Sequence, residues 1–235
     1  MYKKRDSITT AYRGNVATQY DNKRFTTKQG LLFAKLELCE LERVVSNLPS
    51  GSEILEVGCG TGRFSKYLGE QGYCVRAVDP SSEMIKIASK KCSDNNVTFG
   101  QEEGANLSSQ DSIYDFVFSI RVTNQTESEG YALKMIREMI RVTKPDGLVM
   151  IEFVNKERPF QKKSKSAKLS FNEISQYARK NNCSVESQRG ILIFSQTILT
   201  HIPEVLIPFW EVLEKSASFV LWRWASRGYI CLRKH

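Results

Sequence analysis

The chain has 235 residues, 41 % of them hydrophobic and 26 % charged, with a net charge of +8; this is ordinary for a soluble globular protein and long enough for one α/β domain with a full core and one elaboration. Six cysteines without a C-x-x-C pair, beside only two histidines, argue against a zinc site or a disulfide framework and read as reduced thiols of a cytoplasmic protein. The basic opening MYKKRDSITT has no apolar run behind it, unlike a secretory signal, and the most apolar stretch, residues 191–222, is broken by His201, Pro203, Glu204, Pro208 and Glu211, short of the roughly 20 apolar residues that span a bilayer.

Residues 1–50 read as a helical lead-in. Leu31, Leu32, Leu36, Leu38, Leu41 and Val45 recur at helical spacing, and Leu48-Pro49-Ser50-Gly51 ends that run. Strands and helices then alternate: a strand at 53–57, a helix at 63–71 closed by Gly72, a strand at 74–78, and a helix capped by Ser81 that runs to about residue 91. Short strands follow at 97–99 and 114–120. An amphipathic helix covers 129–142, with Leu133, Ile136, Met139 and Ile140 on one face. Pro145-Asp146-Gly147 reads as a turn before a strand at 148–154. This alternation predicts a parallel, doubly wound sheet.

Further on, Ser170 followed by Glu173 is a capping box that opens a helix over 170–181. Two short strands are expected at 183–188 and 191–196, a helix from 204 to about 217, and a last strand at 228–232. Charge is uneven as well. Residues 151–235 hold 14 Lys/Arg against 7 Asp/Glu, and the densest run is KERPFQKKSKSAK at 156–168. That run is a solvated loop, or it attracts an acidic substrate, an anionic lipid surface or RNA.

The stretch ILEVGCGTGRFS at 54–65 is the most informative. A strand ends in Gly58-Cys59-Gly60-Thr61-Gly62 and a helix starts at once, which lets a ligand approach the backbone and meet the N–H groups of a helix N-terminus. A nicotinamide-binding fingerprint, G-x-G-x-x-G/A, would need Gly or Ala at position 63, where Arg63 stands. The phosphate-loop pattern G-x-x-x-x-G-K-[ST] is absent too. Asp79 ends the second strand, 21 residues after Gly58. It suits either a helix cap or the carboxylate that accepts ribose hydroxyls, and the glycine loop at this spacing favours the ribose.

ILEVGCGTG, VDPSSEMI, YDFVFS and RVTKPDGLVMIEF together resemble the successive motifs of class I S-adenosylmethionine (SAM)-dependent methyltransferases, most closely the small-molecule type 11 subgroup that includes quinone C-methyltransferases. The resemblance covers about residues 52–155. It implies a Rossmann-like, doubly wound seven-stranded sheet with an antiparallel last strand and a helical N-terminal lid. It divides the chain into a cap at 1–50, a SAM-binding core at 51–155, and residues 156–235 completing the sheet and the acceptor pocket. For the cofactor it implies contacts from Glu56, Gly58, Gly60, Asp79 and Met84, the last against adenine. Glu103 and Gly104 stand where the family often has Gly-Asp-Ala, and Ser119 and Arg121 lie beside the reacting sulfur. Asp146 replaces a glycine common in the family's turn.

Methyl transfer to an oxygen or carbon acceptor usually needs a base. His201 is the candidate, since its pKa range is right and it lies on the acceptor side; simple packing is the competing reading. Tyr20, in the polar lead-in, is expected near the methionine part of the cofactor. Phe209, Trp210, Phe219, Trp222 and Trp224 line an apolar pocket or belong to the core. The expected function is methyl transfer from SAM to a small-molecule acceptor, acidic or lipid-linked. The alternatives are an RNA methyltransferase, which the basic final third motivates, and a catalytically silent SAM-binding protein. No metal is expected, and peripheral contact with a membrane surface is kept open.

Overall fold

The computed structural model describes residues 21, 26–126, 128–159, 166–194 and 203–235. The expected positions Tyr20 and His201 lie outside them. Among the described residues, one seven-stranded sheet has the order β3-β2-β1-β4-β5-β7-β6. It is built from β1 (Glu53–Val57), β2 (Cys74–Asp79), β3 (Val97–Gln101), β4 (Tyr114–Ser119), β5 (Thr143–Val154), β6 (Cys183–Ile191) and β7 (Arg227–Lys234). The first five strands pair in parallel. β7 inserts between β5 and β6, antiparallel to both, so the expected reversal of the last strand is present.

Six helices accompany the sheet among the described residues: α1 (Lys28–Val45), α2 (Arg63–Glu70), α3 (Ser82–Lys91), α4 (Glu129–Val142), α5 (Phe171–Lys180) and α6 (Ile207–Leu221). The buried strands are apolar on both sides, as a covered parallel sheet requires. Leu55, Val57, Val117, Val149 and Phe153 pack against α4 and α5 on one face. Ile54, Phe116, Phe118, Met150 and Tyr229 pack against α1 and α2 on the other. This is the doubly wound arrangement.

Local chemistry starts the helices where the sequence indicates. Ser81 and Ser128 accept N–H bonds at the starts of α3 and α4. Ser170 and Glu173 form the full capping box of α5.

Two expectations need correction. Pro145-Asp146-Gly147 does not separate a turn from a strand; it lies inside the longer β5, whose pairing with β4 is irregular there. Asp146 takes the bend at φ 62°, a left-handed conformation that aspartate tolerates. Residues 183–191 form one strand, longer than the expected 183–188, because their backbone pairs continuously with β7 apart from one irregularity near Val185; of the second strand expected at 191–196, residues 192–194 are not strand and 195–196 lie outside the described residues. Leu192, at φ 62°, follows the strand directly. No helix among the described residues is long and apolar enough to cross a membrane.

Candidate active site

The first turn of the site is the loop after β1. Gly58, Gly60 and Gly62 all adopt left-handed φ values, of 82°, 54° and 78°. Two of them are also held by close neighbours. A Cβ on Gly58 would stand 2.1 Å from Cγ2 of Val122, and one on Gly62 would stand 2.9 Å from Cβ of Ala88. Gly60 differs, because nothing lies within 4 Å of where its Cβ would be. It is the open position of the loop.

Asp79 locks this loop to β2. Its Oδ2 accepts the Gly60 N–H at 2.9 Å and its Oδ1 accepts the Ser81 N–H at 2.9 Å. Burial raises its pKa, against the pull of those two bonds. Each oxygen has accepted one hydrogen bond and keeps capacity for another, which suits the two hydroxyls of a ribose. The carboxylate and the open face at Gly60 therefore fit the nucleoside end of SAM.

Glu103 belongs to the same crevice. It accepts the Tyr131 hydroxyl at 2.7 Å, and its charge is felt by Asp79. Its neighbour Glu102 is committed elsewhere, to Arg76 at 2.9 Å and to the Ser108 N–H at 2.9 Å. Gly104 is buried, and a side chain there would reach Val57 and Met135 at 2.8 and 3.0 Å; the bare backbone lets this loop lie against the core. Sequence reasoning missed Tyr131. It sits in the first turn of α4, and only the fold brings it across to Glu103.

Several expected contacts are occupied inside the protein. Glu56 is buried and accepts the Ser65 hydroxyl from α2. Burial pushes its carboxyl up to about 7. Met84 is buried in the first turns of α3. Ser119 is fully buried and donates to the Val57 carbonyl at 2.9 Å, tying the end of β4 to the end of β1. These three residues support the crevice from within.

Arg121 follows β4 at φ 64° and enters a chain of buried charges. Its N–H donates to Glu152 Oε2 at 2.8 Å and its guanidinium pairs with Glu37 of α1. Arg63 reaches the other oxygen of Glu37 at 2.7 Å, and Arg227 reaches Glu152 Oε1 at 3.0 Å. Burial alone would lower the pKa of Arg121, but Glu37 and Glu152 hold it above its ordinary value. Tyr229 is buried beside these groups.

The lead-in also meets the loop. The Thr61 hydroxyl donates to Asp21 at 2.8 Å, and Asp21 also pairs with Lys91. The expected aromatic pocket is not formed as such: Phe209, Phe219 and Trp224 are exposed. Trp222 instead packs edge-on against Phe171 at 4.9 Å, and Trp210 packs on Phe194 at 4.8 Å. Among the described residues, no cluster of three or more His, Cys, Asp or Glu is arranged to hold a metal ion.

Comparison with known proteins agrees with this geometry. Residues 54–147 match the family model described as a methyltransferase domain. The chain is similar to the malonyl-[acyl-carrier protein] O-methyltransferase of Pectobacterium atrosepticum, 34 % identical over 119 residues, which are 50 % of this chain and 45 % of that one. It is similar to the tRNA (carboxymethyluridine(34)-5-O)-methyltransferase of Arabidopsis thaliana, 38 % identical over 112 residues, 46 % of this chain and 25 % of that one. The chain thus spans less than half the length of these curated relatives. Its fold follows the crystal structure of magnesium protoporphyrin IX methyltransferase from Synechocystis with bound SAM, at a TM-score of 0.68, 16 % identity and full coverage of both chains.

Proposed function

We propose that residues 54–147, which match the model of a methyltransferase domain, form a class I SAM-dependent methyltransferase core, and that the whole chain transfers a methyl group from SAM to a small-molecule acceptor. The observation that carries this is the coupling of Asp79 to the loop at Gly60, with open space in front of that glycine. When bound, SAM supplies a methyl group on a positively charged sulfur, and methyl loss leaves a neutral thioether.

In this reading the chain's own residues bind and orient. Asp79 holds the ribose through the spare capacity of its two oxygens. Glu103, fixed by Tyr131, meets the adenine side, with Gly104 keeping its loop against the core. Gly58 and Gly60 face the methionine portion, and Glu56, Met84 and Ser119 keep the crevice in shape. Arg121 stands at the acceptor side, anchored by Glu37 and Glu152. Carboxylates at 79 and 103 favour a cationic ligand. Holding acceptor and methyl in line accounts for roughly 7–11 kcal/mol of barrier lowering in reactions of this kind.

The lead-in at 1–50 acts as a lid, with Tyr20 near the methionine portion; the Asp21–Thr61 contact supports that reading. Residues 51–155 hold the cofactor, and residues 156–235 complete the acceptor side, where His201 is the general base. The small-molecule O-methyltransferases among the relatives support an acceptor that is acidic or lipid-linked. The free cysteines support a cytoplasmic setting.

A second reading, methyl transfer to RNA, is favoured by the tRNA-modifying relative and the basic final third. Calorimetric titration with SAM, followed by labelled-methyl transfer into fractionated metabolites, lipids and RNA, separates the two. SAM binding with label in metabolites or lipids is the expected outcome. Label in RNA alone supports the second reading, and absence of SAM binding overturns both.

A further inference from the structure

Helix α6 is apolar on both sides: Ile207 and Trp210 pack against the core, yet the side turned away from it is apolar too. A surface helix ordinarily buries its apolar stripe and shows its polar one. At 3.6 residues per turn, Phe209, Val212, Ser216, Phe219 and Val220 share one face, and Glu214 lies opposite. The outward face is apolar and open: Phe209 is 67 % exposed, Val212 64 % and Phe219 80 %. The inward face carries the acid. Glu214 is fully buried and accepts the backbone N–H groups of Ile193 and Phe194 at 2.6 and 3.3 Å. The helix is therefore fastened to the fold by Ile207, Trp210 and this carboxylate, and its phenylalanines are left to water. Exposed Val205 precedes the helix and exposed Trp224 follows it. A continuous apolar surface of this kind marks an interaction site.

Charge identifies the partner. The remaining acid of α6, Glu211, is paired with Lys35 at 2.8 Å and Lys215 at 2.7 Å. Lys215 and Arg223, at the flank and the end of the apolar face, are about half exposed. At the C-terminal end of α6, Arg223 lies 3.6 Å from Glu157, and Arg158 donates to Ser226 at 3.1 Å. Residues 151–235 carry 14 Lys/Arg against 7 Asp/Glu.

We propose that the outward face of α6 docks the protein peripherally on an anionic lipid bilayer, with Phe209, Val212 and Phe219 entering the acyl boundary and Lys215, Arg223 and Arg158 meeting the headgroups. Apolar side chains on one face and cations around them are the two components of interfacial binding. The inference does not depend on the methyl-transfer reading.

Vesicle co-flotation of the full chain tests it, using phosphatidylcholine alone and phosphatidylcholine doped with phosphatidylglycerol. The chain is expected to float with the doped vesicles, to be released by salt, and to show a blue shift of tryptophan emission. Phe209→Ser with Phe219→Ser is expected to lower the partition by roughly tenfold or more and to leave the melting temperature unchanged, since neither side chain supports the core. No flotation with doped vesicles overturns the proposal, as does equal flotation of the double variant. A wild-type dimer that the double variant turns into a monomer also overturns it, because the face is then a contact between copies.

Discussion

The Asp79 carboxylate accepts the Gly60 N–H at 2.9 Å, so the acid that ends β2 and the loop that ends β1 form a single device. Removing the carboxylate takes away the ribose partner and releases the loop together. Asp79→Ala is expected to weaken SAM binding at least tenfold, or about 1.4 kcal/mol, as read by titration calorimetry. Affinity within twofold of wild type would remove Asp79 from the site.

Glu56 makes the stability of this loop depend on pH. Burial lifts its carboxyl from 4.5 to about 7 in the folded chain, so the folded state holds the proton more tightly than the unfolded one. Its contribution is full below 4.5 and is lost as pH rises through about 7. Glu56→Gln stays neutral throughout. The variant is expected to match wild type near pH 5 and to exceed its stability by about 3 kcal/mol near pH 8. Urea unfolding at both values checks this; a variant less stable at the higher pH would show that the ionised carboxylate is well served where it lies.

Gly58 and Gly60 should respond differently to the same change. Both have left-handed backbones, but only Gly58 has a neighbour in the way. Gly60→Ala is expected to cost about 1–2 kcal/mol, the strain of that conformation alone. Gly58→Ala is expected to cost a further 1–3 kcal/mol through the clash with Val122. Val122→Ala in the Gly58→Ala background should recover part of that second loss. Equal costs at the two positions, in thermal or urea unfolding, would contradict the contact.

Glu37 serves two guanidiniums, those of Arg63 and Arg121. Its loss leaves both cations without their shared counter-charge in a largely buried setting. Glu37→Gln is expected to lower stability by about 3 kcal/mol. A change smaller than about 0.5 kcal/mol would show that water screens the pair.

Much of the fold was legible because its signals are local. The apolar run at 54–57 followed by glycines marks β1 and its turn, and Ser170 with Glu173 marks the start of α5. β5 was harder. Pro145-Asp146-Gly147 carries turn chemistry, and the strand continues across it because Thr143 pairs with β4 before it and Leu148 pairs with β4 and β7 after it. The crevice was legible where the motif itself supplies a group, as at Asp79. It was not legible where a partner comes from a distant element. Tyr131 meets Glu103 across 28 residues, and Glu37 meets Arg121 across 84. The outward phenylalanines of α6 are not legible because a helix apolar all round gives no sign of which side faces the core, and the buried Glu214 beside Ile207 and Trp210 has no signature in the sequence.

The sharing of Glu37 also bears on how this protein can be divided. The recognisable methyltransferase segment begins at residue 54, yet two of its cations are neutralised from α1, upstream of that boundary. Cutting at the recognised edge would take Glu37 from Arg63 and Arg121 and strip an apolar cover from the sheet. The smallest independently stable fragment must therefore reach back through the first helix, and a shorter one is expected to be insoluble.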